Sequence, residues 1–368
     1  MMISASTSTL ASTSASASAS ASASASASAS ARTMVYVSNA DSRDIYVMQL
    51  NQADGSAAMV EKVATGGSVM PLAVSPDRRF LYASLRSLPY SVSSYAIDSR
   101  SGRLNLLSSV PLADNMANLA TDKSGRFLLA ASYTGNKISI NPIAAKGDVE
   151  AAPVAVIPTR EKAHAIATDP ANTHLFASNL GGDIILQYRF DAASGQVTPN
   201  LPPYVETKHG AGPRHFLFDR RARFVYGTNE LDGSLSTYRY DASSGALTLQ
   251  ASVSLRPKDF QGAVLAPADL HLTPDGRFLY ASERTSSTLA GFAVDPDSGA
   301  LTLIGNFPTE TQPRGFNIDP SGRFLLAVGQ QSNRMSSYAI DQKTGALHLL
   351  HQYEMGKNPN WVEIIDLP

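Results

Sequence analysis

The sequence predicts an all-β fold, a seven-bladed β-propeller with four antiparallel strands in each blade. Three observations indicate it. One short motif returns seven times at a spacing of about 47 residues. Each copy is flanked by strand-like segments and turns, and the two ends of the chain together supply the strands of one blade.

The repeated motif is an aromatic or other large residue followed by apolar residues and then a small one. Its copies begin at Met34, Phe80, Phe127, His174, Phe224, Phe278 and Phe324. Seven copies at a nearly constant spacing indicate one repeat architecture rather than two unrelated domains.

Each copy is surrounded by the parts of one propeller blade. An apolar run ending in a turn precedes it, as at residues 73–77, and an alternating segment follows it, as at residues 93–97. A glycine turn such as Ser101-Gly102 then leads to a fourth strand, for example residues 246–250. This period-2 pattern of short strands excludes a helical solenoid.

The chain ends predict how the ring closes. The first motif copy lacks a preceding strand, whereas residues 361–365 form a strand with no partner after it. We expect both ends to share one blade, which removes two open sheet edges. The propeller then spans residues 32–368, and residues 1–31, almost entirely Ala, Ser and Thr, are expected to be a disordered tail.

The amino-acid composition limits the kinds of molecule that the protein can bind. Lys plus Arg total 30 against 31 for Asp plus Glu, so there is no basic field for nucleic acid or an anionic membrane, and a small molecule is favoured. The chain has no cysteine, which excludes disulfides and thiolate chemistry and is compatible with the cytoplasm. Its histidines are scattered, so we expect neither a metal nor a cofactor. The oligomeric state is left open.

Two positions of the repeat vary between copies with a chemical bias. The first lies five residues before the turn and holds Met70, Ala117, His164, Arg214, Ala268 and Arg314. The second follows the second strand and holds Ala40, Arg86, Thr134, Leu180, Glu230, Arg284 and Gln331. Since the start of the first strand and the end of the second meet at one edge of an antiparallel blade, we expect the charged members to converge on one mouth of the channel.

Further polar residues are predicted beside this cluster, namely His215, Asp269, Asn229 and Glu283. Several arginines around one funnel favour an anionic ligand, and a histidine with a carboxylate favours acid-base chemistry. The alternative is that the arginines form salt bridges between blades or solvated loop charges, that Glu230 only pairs with an arginine, and that His164 caps a turn. His174, His271, His348 and His351 are interpreted as packing or surface residues.

Five segments carry a family resemblance, namely residues 210–215, 229–231, 269–277, 283–285 and 309–316. From about Met34 onward the chain resembles the family of bacterial propeller-type 6-phosphogluconolactonases and fungal carboxymuconate-lactonising enzymes. The resemblance implies that His164, Arg214, Glu230 and Arg284 form the active site. Residues 162–165, Lys-Ala-His-Ala, depart from the Gly-Cys-His-Ser-like run of the bacterial members.

The resemblance further implies metal-independent hydrolysis of 6-phosphogluconolactone in the pentose phosphate pathway. We expect Arg214, Arg284 and Arg314 to hold the phosphate or the oxyanion, His164 to act as the base, and Glu230 to orient water or an arginine. Arg86, His215, Asp269 and Asn229 are expected to contact the substrate. The alternatives are a carboxymuconate-lactonising cycloisomerase and a propeller that binds a metabolite or peptide without catalysis.

Overall fold

Seven four-stranded antiparallel sheets follow one another around a central channel, as the repeat predicts. The computed structural model describes residues 1–2, 4–5, 32–262 and 264–368, so most of the predicted Ala/Ser tail lies outside the described residues. Every secondary-structure element in the described residues is a β-strand. None of these residues belongs to a helix able to cross a membrane.

The strand boundaries follow the predicted four-strand unit. Blade 1 contains β1 (Thr33–Asn39), β2 (Asp44–Leu50) and β3 (Ala57–Ala64). Blade 2 contains β4 (Val69–Val74), β5 (Phe80–Leu85), β6 (Ser91–Ile97) and β7 (Leu104–Pro111). Blade 3 contains β8 (Met116–Thr121), β9 (Phe127–Ser132), β10 (Lys137–Pro142) and β11 (Ala155–Pro158).

The second half of the ring repeats this order. Blade 4 contains β12 (Ala163–Thr168), β13 (His174–Asn179), β14 (Ile184–Phe190) and β15 (Val197–Glu206). Blade 5 contains β16 (Pro213–Phe218), β17 (Phe224–Asn229), β18 (Ser234–Asp241) and β19 (Ala246–Ser254). Blade 6 contains β20 (Pro267–Leu272), β21 (Phe278–Glu283), β22 (Thr288–Val294) and β23 (Leu301–Pro308). Blade 7 contains β24 (Pro313–Ile318), β25 (Phe324–Gly329), β26 (Arg334–Ile340) and β27 (Leu347–Glu354).

The last strand, β28 (Pro359–Asp366), closes the ring. It pairs antiparallel with β1, from Thr33 opposite Asp366 to Val37 opposite Val362, and becomes the inner strand of blade 1. It also packs between the inner strands β24 and β4 of the flanking blades. The predicted closure of both chain ends in one blade is therefore confirmed.

Burial falls from the second strand of each blade to the fourth. Every residue of β1, β9, β13, β17, β21 and β25 is buried, because these strands are covered on both faces by neighbouring blades. The outer strands β7 and β27 are mostly exposed. The short apolar motif found in the sequence is thus the part of each blade that lies deepest between its neighbours.

An inter-blade contact explains why each motif begins with a large residue. That side chain lies against a glycine in the turn between the third and fourth strands of the next blade. The seven pairs are Met34 with Gly102, Phe80 with Gly147, Phe127 with Gly195, His174 with Gly245, Phe224 with Gly299, Phe278 with Gly345, and Phe324 with Gly55. The pair of Phe324 and Gly55 joins blade 7 to blade 1, so the contact runs around the whole ring.

The polar turn before the second strand is also built by a repeated interaction. The Asp122 carboxylate accepts hydrogen bonds from the backbone N–H groups of Arg126 and Phe127 at 2.8 and 2.9 Å. Asp169, Asp219 and Asp319 occupy the same place in their blades and accept the equivalent pair of N–H groups. These carboxylates satisfy backbone donors that would otherwise be left at a buried strand start.

The inter-blade contact predicts a large effect of Gly299→Ala. Gly299 has a φ of 71°, and an added Cβ would lie 2.6 Å from Cδ1 of Phe224. We expect a loss of about 1–2 kcal/mol for the left-handed backbone, plus about 1–3 kcal/mol for overpacking, measured as the free energy of unfolding in urea.

Gly276→Ala is the matched control for this substitution. Gly276 has a φ of 76°, but no described atom lies within 4 Å of an added Cβ. We therefore expect the backbone cost alone. Equal losses in the two variants would show that the contact with Phe224 contributes nothing.

Candidate functional site

A β-bulge near the start of the inner strand shapes one mouth of the channel. In blades 4 to 7 two inner-strand residues face a single residue of the second strand. The bulged pairs are His164 with Ala165, Arg214 with His215, Ala268 with Asp269, and Arg314 with Gly315. Bulges redirect side chains and are common beside active sites. The first variable position found in the sequence is thus the first residue of the bulge.

A hydroxyl on the second strand holds the bulge in place in blades 4, 5 and 6. The Thr228 hydroxyl accepts a hydrogen bond from the backbone N–H of His215 at 3.2 Å and donates one to the carbonyl of Ala268 in the next blade at 3.3 Å. Ser178 and Ser282 make the equivalent pairs of contacts in blades 4 and 6. The small residue that ends the repeated motif therefore couples the bulges of neighbouring blades.

The second variable position lies directly after the second strand. Arg86, Glu230 and Arg284 follow β5, β17 and β21, as predicted. In blades 3 and 7 the prediction was wrong by one residue, because β9 ends at Ser132 and β25 at Gly329. The equivalent residues there are Tyr133 and Gln330 rather than Thr134 and Gln331. The Tyr133 ring lies 5.9 Å from the ring of His164, centroid to centroid.

Two arginines share the carboxylate of Glu230 at this mouth. Arg214 Nε lies 2.7 Å and Arg284 Nη2 3.0 Å from Glu230 Oε2. Arg214 is 1% exposed, and its Nη1 donates to the carbonyl of Ala268 at 2.5 Å. Burial opposes ionisation of Glu230, but the two arginines outweigh it and hold the pKa of the carboxyl below its usual value. Glu230 is therefore an anion that positions two guanidinium groups.

Arg314 and Arg86 add positive charge without a carboxylate partner. Among the described residues, the Arg314 guanidinium has no hydrogen bond or salt bridge, and its Nε is buried. Burial and the charges of Arg214, Arg284 and Arg86 lower the pKa of Arg314. Arg86 donates from Nε to Asn115 at 2.5 Å. The buried Nη2 of Arg214 also has no hydrogen-bond acceptor among the described residues. These unused donors suit an anion.

His164 forms part of the floor of the mouth. Its side chain is nearly buried, its Nδ1 has no described partner, and its ring lies 5.1 Å from that of His215. Burial, reinforced by the charge of Arg214, holds the pKa of His164 well below its usual value. The imidazole is therefore neutral at pH 7.

His215 lies beside His164 and has a carboxylate partner. Its Nδ1 lies 2.8 Å from Asp269 Oδ1, and its Nε2 is buried without a described partner. The other carboxylate oxygen of Asp269 lies 3.3 Å from Nε2 of His271. Burial and Arg214 lower the pKa of His215 to about 4 against the opposing effect of Asp269. The sequence interpretation of His271 as a packing or surface residue missed this contact, because the contact depends on the bulge at Asp269.

Asn229 and Glu283, also singled out in the sequence, bond within their own blades. The Asn229 side-chain amide donates to the hydroxyls of Ser234 and Ser236, both at 2.8 Å. The Glu283 carboxylate accepts from the backbone N–H groups of Ala266, Thr285 and Ser286. These contacts hold the loops that carry Glu230 and Arg284.

An open pocket continues from the arginine cluster toward blades 6 and 7. It is lined by Glu230, Ala266, Arg284, Thr285, Ser287, Thr311, Gln312 and Gln331. The hydroxyl and amide side chains here suit a polyhydroxylated or phosphorylated ligand. Thr285, Ser287 and Gln312 lie outside the two variable positions of the repeat, and the sequence analysis did not predict them as site residues.

The chain is similar to known proteins over most of its length. The family model described as "Lactonase, 7-bladed beta-propeller" matches residues 30–364. The 6-phosphogluconolactonase of Serratia proteamaculans is 40% identical over 91% of this chain and 99% of its own length. That of Pectobacterium carotovorum is 41% identical over the same shares. The solved periplasmic gluconolactonase of Pseudomonas aeruginosa matches with a TM-score of 0.85 and 29% identity, over 92% of this chain and all of its own.

The uncompensated charge of Arg314 predicts an effect on stability. We expect Arg314→Met to raise the free energy of unfolding by about 1–3 kcal/mol, because it removes a buried cation that three other arginines repel. Arg79→Met is the control, since the Arg79 side chain is 61% exposed and pairs with Asp77. It should change stability by less than about 0.5 kcal/mol.

The same measurement in inorganic phosphate tests the anion site. Phosphate at 100 times its dissociation constant should stabilise the wild type by about 2.7 kcal/mol relative to chloride at equal ionic strength. We expect a clearly smaller gain in Arg314→Met and an unchanged gain in Arg79→Met. Equal gains in all three proteins would contradict an anion site at Arg314.

Proposed function

Because this chain belongs to the lactonase family of seven-bladed β-propellers, we propose that it hydrolyses 6-phosphogluconolactone to 6-phosphogluconate, a step of the pentose phosphate pathway. Its curated relatives at about 40% identity carry the name 6-phosphogluconolactonase. The observation that supports this assignment most directly is the cluster of four arginines at the channel mouth, of which two share the carboxylate of Glu230 and two have no described carboxylate within salt-bridge distance.

The charge of the site suits a phosphorylated substrate. Among the described residues, only Glu230 lies within salt-bridge distance of Arg214 and Arg284, and none does so for Arg86 and Arg314. A phosphate monoester carries nearly two negative charges at pH 7, and planar guanidinium groups bind its oxygens in pairs. Arg314, Arg86 and Arg284 are proposed to supply those contacts.

The reaction itself needs stabilisation of an oxyanion. Water adds to the lactone carbonyl carbon, the π-electron pair moves to the carbonyl oxygen, and the C–O bond of the ring then breaks to give a carboxylate and a hydroxyl. Arg214, whose Nη2 has no described acceptor, is proposed to stabilise the oxyanion. Since Glu230 is held as an anion by two arginines, we assign it to positioning them and leave the proton to an imidazole of the floor, His164 or His215.

Other residues have supporting roles in this proposal. Asn229 holds the loop that carries Glu230 through its bonds to two serines. The hydroxyls and amides of Thr285, Ser287 and Gln312 are proposed to bind the hydroxyl groups of the sugar. We expect the enzyme to act in the cytoplasm, because phosphorylated sugars are charged and do not cross membranes unaided.

An assay with three compounds tests the proposed substrate. We expect saturable hydrolysis of freshly made 6-phosphoglucono-1,5-lactone, with kcat/KM at least about 10²-fold higher than for unphosphorylated glucono-1,5-lactone, because two or more charge-assisted contacts are lost. Carboxymuconate should not be consumed. Lactone hydrolysis is followed by proton release in a weakly buffered solution.

Arg314→Met and Arg284→Met extend this assay. We expect Arg314→Met to raise KM for the phosphorylated lactone and to leave the rate with the unphosphorylated lactone nearly unchanged. Arg284→Met should lower both rates, because it also loosens Glu230. Equal rates with the two lactones in the wild type would overturn the phosphate assignment, and lactonisation of carboxymuconate would overturn the reaction.

A further inference from the structure

Two imidazoles lie at the floor of the mouth, and their surroundings differ. No described residue forms a hydrogen bond with the His164 ring, and no carboxylate lies within salt-bridge distance of it. His215, by contrast, lies 2.8 Å from Asp269 through Nδ1, and its Nε2 is buried and has no described partner. The carboxylate therefore distinguishes the two rings.

Asp269 is itself held firmly in place. Its Oδ1 accepts the backbone N–H of Leu270 at 3.0 Å, and its Oδ2 accepts that of Phe316 at 3.5 Å and lies 3.3 Å from His271 Nε2. It occupies the second bulge position of blade 6, so its side chain reaches the equivalent bulge residue of blade 5, His215. A carboxylate held in this way fixes Nδ1 of His215 as the protonated nitrogen and Nε2 as the free acceptor.

We propose that His215 is the general base of the reaction, and that Asp269 and, behind it, His271 are positioning residues. This inference rests on the proposed lactone hydrolysis and differs from the sequence expectation that His164 takes the proton. His164, 5.1 Å away between ring centroids, then binds substrate as a neutral imidazole.

The electrostatics of the mouth support His215 over His164. A base becomes positively charged when it accepts a proton, and the nearby arginines oppose that charge. These are Arg214, Arg314 and Arg284 at His164, and Arg214 and Arg314 at His215. At His164 no described carboxylate offsets the charge of the arginines. At His215 the anionic Asp269, 2.8 Å away, stabilises the imidazolium. The same arrangement of carboxylate and histidine serves other hydrolases, where the carboxylate fixes the tautomer and stabilises the cation.

In the proposed hydrolysis, His215 carries one proton from the attacking water to the departing ring oxygen. His215 Nε2 takes a proton from water as the water oxygen bonds to the carbonyl carbon and the carbonyl electron pair moves to oxygen. When the electron pair returns, the ring C–O bond breaks and the imidazolium gives its proton to the departing ring oxygen. The new carboxylic acid releases its own proton to solvent at neutral pH.

The pH dependence follows from the groups that surround His215. The groups next to it are Arg214 on its own strand, Asp269 on β20, Arg314 on β24, and the rings of His164 on β12 and Trp361 on β28. Behind these, His271 on β20 and Glu363 on β28 interact with Asp269, and Glu230 after β17 pairs with Arg214. Burial and Arg214 bring the pKa of His215 to about 4. A base must be unprotonated, so kcat/KM falls only as the pH drops through about 4. A bound phosphate offsets the arginines and moves this limb to higher pH in kcat.

Kinetics of four variants test the assignment. We expect His215→Asn to lower kcat by about 10²–10⁴-fold, the usual contribution of a general base. Asp269→Asn should lower kcat, keep KM within about threefold and move the acid limb of kcat/KM to lower pH, since Asp269 raises the pKa of His215. The double variant should lose no more than His215→Asn alone, because the two residues act as one unit. His348→Asn, on the exposed outer strand β27, is the unaffected control.

Different results would overturn the role of His215 and the proposed lactone hydrolysis. Lactone turnover by the wild type with an unchanged kcat in His215→Asn would overturn the role of His215 alone. A larger loss of kcat in His164→Asn than in His215→Asn would do the same. Failure of the wild type to hydrolyse either lactone would overturn the proposed function and this inference with it.

Nuclear magnetic resonance of the imidazole nitrogens gives a readout that needs no turnover. The chain has seven histidines, so ¹⁵N-histidine spectra can be assigned with single His→Asn variants. We expect His215 to carry its proton on Nδ1 between pH 5 and 8 and to titrate at higher pH than His164. A proton on Nε2 of His215, or the opposite order of titration, would overturn the proposal. These spectra are recorded on the wild type, so they do not depend on whether Asp269→Asn folds. His271→Gln provides a second test of the contacts from His271 through Asp269 to His215.

Discussion

The contact between a large side chain and the glycine of the next blade is the interaction on which the rest of the ring depends. It occurs at every junction between blades, including that of Phe324 with Gly55, which joins the last blade to the first. An open ring would leave two sheet faces and two strand edges uncovered. Because β28 completes the first blade from the other end of the chain, hydrogen bonds and side-chain packing close the ring at the same place.

This rigid ring allows the mouth to hold an arrangement that is unfavourable by itself. Arg214 is almost fully buried, Arg314 has no described acceptor, and both lie near further arginines. Burying charge without full compensation costs free energy. The bulges are tied by the hydroxyls of Ser178, Thr228 and Ser282, so the arginines cannot relax away from one another without disturbing several blades.

Much of the site could be found by comparing the repeats with one another. Residues that serve the fold must be alike in every blade, whereas a bulge side chain at the mouth is free to differ, and His164, Arg214 and Arg314 stand out for that reason. The second strand has six residues in each of blades 2 to 7, so the residues equivalent to Glu230 in blades 3 and 7 are Tyr133 and Gln330 rather than the predicted Thr134 and Gln331. The pocket residues Thr285, Ser287 and Gln312 lie outside the two variable positions of the repeat and were not predicted.

The sequence by itself determined the number of blades, the four strands in each, the closure of the ring and the mouth at which the charges gather. These follow from periodicity, turn residues and the alternation of strands, which are local properties of the chain. Only the tertiary structure decided which charges pair. That Glu230 serves Arg284 as well as Arg214, and that Asp269 holds His215 but not His164, depends on distances of 3.0 and 2.8 Å between residues of blades 5 and 6. Such distances are set by the bulges and by the packing of one blade on the next, and no pattern within a single blade contains them.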